Sequence, residues 1–223
     1  MPFMALYVEE LGAPKNKVEW YAGLAVSLSA LASALIAPVW GRLADQYGRK
    51  PMMVRASLVM TFTMGGLAFV PNVFWLLTLR LLNGLFSGYI PNSTALIASQ
   101  APKNRSGYAL GTLATGMIGG SLIGPLLGGM LAEWLGIRQV FLLVGFILLI
   151  CNFLTVFLIK EDFKPVAKAN AMSTRELFLS IKDKQILIGL FVTSMIIQIS
   201  AQSIAPILTL YIRNLGQTEN LMF

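Results

Sequence analysis

Residues 106–132 read SGYALGTLATGMIGGSLIGPLLGGMLA, 27 residues with no acid or base between Arg105 and Glu133. A bilayer core takes about 20 apolar residues of helix to cross. The stretch is long enough, and it lacks the alternation over about ten residues that marks a barrel strand. Working outward, the same character recurs on both sides. Trp20 to Gly41, Ala56 to Leu79, Leu81 to Pro102, Gln139 to Ile159 and Gln185 to Ile212 are also free of Asp, Glu, Lys and Arg. With the turn pair Pro71-Asn72 as a boundary, they predict six helical spans, roughly 18–40, 52–70, 73–99, 107–131, 139–159 and 186–212. A buried helix in a soluble core does not explain six in a row.

Composition agrees. Of 223 residues, 56% are hydrophobic and 12% charged, against about 25% charged in a soluble domain. So little charge cannot wet a globular surface, which excludes a soluble enzyme. The single cysteine, Cys151, leaves no intrachain disulfide. With no histidine in the chain, imidazole serves neither as metal ligand nor as general base. No metal-ligand or nucleotide-binding pattern is present, and Cys151 falls in an apolar helix where a thiol is inert. Neither an enzyme nor a resident cofactor is expected.

The basic residues fall on alternate loops. Arg42, Arg49, Lys50 and Arg55, then Lys103 and Arg105, then Lys160, Lys164, Lys168, Arg175, Lys182 and Lys184 put twelve on one side. Lys15, Lys17, Arg138 and Arg213 put four on the other. By the positive-inside rule, loops 41–55, 100–106 and 160–184 are expected to be cytoplasmic, in a multi-pass protein of the plasma membrane. The net charge of +7 is thereby a topology signal plus one buried cation, Arg80, and nucleic acid is not needed to explain it. Residues 160–184 read as a linker with a short amphipathic helix near Thr174 to Ile181.

The chain also repeats. Pro2 to Gly12 (PFMALYVEELG) aligns with Pro206 to Gly216 (PILTLYIRNLG) at an offset of 204, with Pro, Leu, Tyr, Leu and Gly identical. Six spans separate the copies, so both end on the same side, a parallel repeat of six helices. Residues 1–11 are too short to cross and lack the basic start and cleavage site of a signal peptide. They read as the end of a first helix. The expected organisation is 1–159, a first transmembrane half with helices 2 to 6; 160–184, the linker; and 185–223, the start of a second half with helix 7. On this reading the chain is part of a protein of about 400 residues, and alone it would not transport.

Three motifs carry mechanism. In Gly41-Arg-Leu-Ala-Asp45-Gln-Tyr-Gly48-Arg49-Lys50-Pro51, the two glycines permit a tight turn and close helix approach. Asp45 is an acid among bases, with Arg49 or Arg55 in reach. An ion pair there can break and re-form as helices rock, and so act as a latch; a solvated turn is the plain alternative. Arg80, in LRLLNG (79–84), sits about seven residues inside its span. A cation at the centre of a span costs about 2.5–3.5 kcal/mol, so it should face a cavity or partner unless it snorkels to the interface. Gly116, Gly120, Gly124 and Gly128 recur every four residues, making a smooth ridge for another backbone, or for tight packing in any membrane protein. Pro125 frees the carbonyl of Ser121, so a bend is expected there.

These stretches resemble signatures of the major facilitator superfamily. Gly41, Asp45, Gly48, Arg49 and Lys50 match its loop signature between helices 2 and 3, with Gln46 where an arginine is usual. Arg80 to Gly84 resembles its helix 4 signature, with Asn83 where glutamine is common, and the resemblance implies a part for Arg80 in proton coupling. Gly111, Gly120, Gly124, Pro125, Gly128 and Gly129 match the antiporter signature of its drug:proton exchangers. The chain as a whole resembles the multidrug efflux pumps of Gram-positive bacteria.

The resemblance implies an all-α helical bundle in two six-helix halves. It also implies alternating access driven by the proton gradient, with amphipathic, often cationic drugs, protons and the lipid bilayer as partners, and a monomer when complete. It places helices 4 and 7 on the central cavity, with Asn83, Phe86, Tyr89, Asn92, Gln198 and Gln202 as candidate lining residues. Met195 joins them, because soft side chains repack around varied ligands. Helix packing is the alternative for each. A proton symporter for a sugar or metabolite, or a non-transporting truncated product, stays open beside the exporter.

Overall fold

The computed structural model describes residues 4–102, 104–163, 185–186 and 188–200. Its elements are helices: α1 (Met4–Glu10), α2 (Val18–Tyr47), α3 (Arg49–Gly66), α4 (Val73–Leu85), α5 (Tyr89–Gln100), α6 (Ser106–Leu135), α7 (Ile137–Leu158) and α8 (Ile188–Ser200). Short 3-10 turns precede α2 and follow α3. α1 to α7 belong to one compact unit and α8 to a second. The fold is all-α, and five of its helical stretches are long and apolar enough to cross a membrane.

Five of the six predicted spans fall where charge-free runs placed them, with tighter connections; of the sixth, 186–212, only Ile188–Ser200 is a described helix. The expected loop 41–55 is not a loop. α2 continues to Tyr47, Gly48 alone is non-helical, and α3 starts at Arg49. Arg42 and Gln46 are good helix formers and Asp45 is tolerated, so charge marks the membrane boundary and not the helix end. Gly41 therefore lies inside α2, and a Cβ there would meet nothing within 4 Å. Only Gly48 is a turn glycine. At the other end of the bundle, Gly136 alone separates α6 from α7.

The span 73–99 is two helices. Asn72 opens α4 as its N-cap, its side chain accepting the Trp75 N–H at 3.2 Å. α4 stops at Leu85 and α5 begins at Tyr89. Pro91 has no N–H for the Ser87 carbonyl, and its ring would clash with that carbonyl in a continuous helix. Gly88 absorbs the break with φ of 127°, a conformation that costs glycine little. α6 is a single helix with Pro125 inside it.

The core gathers at the end of the bundle opposite Gly48. Met4, Tyr7 and Val8 of α1 are buried with Ala25, Met64, Leu67, Val70 and Leu76. The Tyr7 hydroxyl donates to the Leu67 carbonyl, and its ring lies 5.0 Å from that of Phe141. Two glycine contacts let helices approach closely. A Cβ on Gly84 would lie 2.3 Å from the Ser29 carbonyl oxygen, and one on Gly145 would lie 2.8 Å from the Gly65 Cα. α3 and α7 are further clasped by Asn152, whose buried amide donates to the Val54 carbonyl at 2.9 Å and to Ser57 Oγ at 2.8 Å. Such polar clasps hold helices together in lipid, where an unsatisfied amide is costly.

Candidate functional site

The Gly48 junction assembles from three helices. Asp45, in the last turn of α2, accepts from Arg49 Nη2 at 3.0 Å. The pair spans the junction itself. Both side chains are partly exposed, 30% for Arg49 and 58% for Asp45. The first turn of α3 presents amides that have no partner within the helix. Glu161, just past α7, takes two of them: Arg49 N at 2.7 Å and Lys50 N at 2.8 Å. A carboxylate on a helix N-terminus also complements the helix dipole. Lys50 returns the contact, its Nζ donating to the Val156 carbonyl at 2.8 Å. Gly48 has φ of 100° and a Cβ there would come 2.8 Å from Glu161 Oε2, so the motif needs glycine for conformation and for space.

Glu161 is the functional candidate that motif reading missed. It sits in the short tail Lys160-Glu161-Asp162-Phe163, more than a hundred residues from its partners. Its one signal is a carboxylate at the helix end on the basic side, and spacing cannot say which amides it reaches.

Arg55 does not join this cluster as the Asp45 partner. Its Cζ stands 3.3 Å from the centroid of the Trp40 ring, a cation–π contact. Its Nη2 reaches the carbonyls of Ser87 at 3.2 Å and Phe86 at 3.4 Å, in the break of helix 4. One helical turn beyond Lys50, the side chain already faces α2 and α4, and stacking there outcompetes a solvated ion pair.

Arg80 is 4% exposed and inside the bundle, so it does not snorkel. Its Nη2 lies 4.0 Å from Met4 Sδ on α1, and its backbone carbonyl accepts from Ser29 Oγ on α2 at 2.7 Å. The small residues at the α2–α4 crossing, Ser29 against Gly84, bring the arginine backbone to this depth.

The glycine ridge is open. α6 has no buried residue, and a Cβ on Gly111, Gly116, Gly120 or Gly124 would meet nothing within 4 Å among the described residues. Pro125 is exposed, and Gly128 and Gly129 are half-buried. α6 packs its other side on α5 and α7.

The candidate cavity residues divide. The Tyr89 hydroxyl is 3.0 Å from Thr155 Oγ1 on α7, and the buried Asn92 amide donates to the Gly88 carbonyl at 2.7 Å. Both are tied into the helix 4 break and its packing, the plainer of the two readings. Phe86 lies against Trp40, ring centroids 5.8 Å apart, and Asn83 is half-buried. Gln198 and Met195 are exposed on α8. Gln202, the repeat copy at 206–216 and the linker from 164 to 184 lie outside the described residues. No group of three or more potential metal ligands occurs among the described residues.

Apolar helices of spanning length, glycine-mediated crossings and a charge held inside the bundle define an integral membrane protein of the helical-bundle type. The chain belongs to the Major Facilitator Superfamily, whose model matches residues 1–223. It is 62% identical over 223 residues to the multi-drug resistance efflux pump PmrA of Streptococcus pneumoniae, covering 100% of this chain and 56% of that protein. It is 62% identical over 224 residues to the PmrA homolog of Lactococcus lactis, covering 100% of this chain and 55% of the relative. The multidrug resistance protein MdtG of Proteus mirabilis is 48% identical over 225 residues, with 100% of this chain and 56% of that protein covered. The chain thus spans about half the length of the curated relatives it matches.

Proposed function

We propose that the full-length protein is a multidrug exporter of the plasma membrane, driven by proton entry through alternating access. The observation that carries this reading is Arg80, buried inside an apolar bundle where charge is expensive. Such a charge is retained where a pathway or a coupling step uses it. The named activity of the relatives, multidrug efflux, fits the same reading.

Each part then has a role. Asp45 and Arg49 latch the basic end, and Glu161 ties α7 to the start of α3, so rocking must break or carry these contacts together. The open ridge Gly116–Gly120–Gly124 is the face on which α6 seals or slides against another helix during the cycle. Phe86 and Asn83 offer an aromatic and an amide to an amphipathic cation. The proton gradient supplies the energy, and the complete protein acts as a monomer.

Ethidium efflux from cells expressing the full-length gene tests the proposal. Export that collapses with an uncoupler, and that is lost in Arg80→Ala at parental expression, is the expected result. Full proton-driven efflux in Arg80→Ala removes Arg80 from the mechanism. Inward accumulation of a sugar or metabolite in intact vesicles would instead establish a symporter.

A further inference from the structure

The break in helix 4 takes the carbonyls of Leu85, Phe86 and Ser87 out of a regular helical ladder, whereas Leu82 O and Gly84 O still accept the N–H groups of Phe86 and Ser87. In lipid an unmet carbonyl is costly, because no water can reach it. Side chains from two other helices meet those of Leu85, Phe86 and Ser87. Trp40 Nε1, on α2, donates to Leu85 O at 2.7 Å. Arg55 Nη2, on α3, donates to Phe86 O at 3.4 Å and Ser87 O at 3.2 Å. Ser87 Oγ sits 2.6 Å from Ser33 Oγ on α2 and donates to Gly84 O at 2.9 Å. The guanidinium is itself held by the Trp40 ring at 3.3 Å, with Phe86 at 5.9 Å on another side. A cation at the C-terminal end of α4 also complements that helix's dipole.

We propose that Arg55 is a positioning residue for transport: it caps the broken helix 4 from α3 and thereby sets the placement of Phe86 and Tyr89. The cap is releasable. Arg55 Nε and Nη1 are buried with no hydrogen-bond partner among the described residues, so one nitrogen and the ring contacts to Trp40 and Phe86 carry the hold. Movement of α3 with the Gly48 latch therefore transmits to the break, because the two sites share one helix, Arg49 at its start and Arg55 on its second turn. The inference rests on the exporter reading for its functional consequence and on geometry alone for the cap.

The test uses the full-length protein with its other cysteines replaced and the pair Ser33→Cys and Ser87→Cys introduced. Copper phenanthroline should cross-link the pair readily. Arg55→Gln should slow cross-linking about tenfold and raise the apparent KM for ethidium with Vmax near the parent. Arg55→Lys, which keeps the charge but not the planar fork, should fall between. Parental cross-linking and KM in Arg55→Gln overturn the proposal, as does a fall in Vmax with cross-linking unchanged. Should Arg55→Gln fail to accumulate in the membrane, Arg55→Lys decides: slowed cross-linking supports the cap and a parental rate overturns it. If the parent exports no ethidium, the exporter reading fails while the cross-linking result still judges the cap.

Discussion

Glu161 accepts the backbone N–H of Arg49 at 2.7 Å, so a carboxylate from the end of α7 closes the start of α3. The same group takes Lys50 N at 2.8 Å. Removing it leaves two first-turn amides unmet. Glu161→Ala should cost about 1 kcal/mol, as other N-caps do. Thermal unfolding in detergent checks this, and Glu161→Gln, which keeps an acceptor, should lose less.

Asp45→Asn should behave differently. The Asp45–Arg49 pair is exposed, and such pairs contribute about 0.2–1 kcal/mol. Stability should barely move, while ethidium efflux by the full-length protein should fall if the pair is a latch. An equal loss of stability and efflux would reduce the pair to an ordinary surface contact.

The two glycines of the junction motif should separate. Gly48→Ala forces a Cβ into a positive-φ position and 2.8 Å from Glu161 Oε2, a cost of about 1–3 kcal/mol. Gly41→Ala lies mid-helix in open space and should be neutral or stabilising by up to about 1 kcal/mol. Melting temperatures of the two variants, measured side by side, give the comparison.

Gly145→Ala pushes a methyl group to 2.8 Å from the Gly65 Cα and 3.0 Å from the Gly65 N, both backbone atoms that cannot swing aside. The α3–α7 crossing must open, at about 1–3 kcal/mol. Gly120→Ala, on the open ridge, should leave the melting temperature of the bundle unchanged or raise it slightly, as Gly41→Ala does, and lower efflux by the full-length protein. A large thermal loss from Gly120→Ala would place that ridge within the folding core instead.

Much of this was legible in the residues themselves. The charge-free runs gave five of the spans, Pro71-Asn72 marked a true boundary, and Arg80 stood out as a charge at depth. What hydropathy could not read was where helices end. Arg42 and Asp45 are unfavourable in lipid yet compatible with helix, so α2 runs on past the apolar stretch to Tyr47. Pro91 and Gly88 carry the signal for the helix 4 break, but they sit inside an uninterrupted apolar run that reads as one span. Glu161 and Asn152 were invisible for a different reason: their partners lie about a hundred residues away.

Sequence by itself therefore determined that this is a membrane-spanning helical protein of its family, because transfer of backbone and side chains into lipid depends on local composition and length. Tertiary structure decided the pairings: Arg49 with Asp45, Glu161 with the start of α3, and Arg55 with Trp40 and the carbonyls of helix 4. Those choices depend on which helices lie side by side and how closely glycines such as Gly84 and Gly145 let them approach, and no local property of the chain encodes that distance.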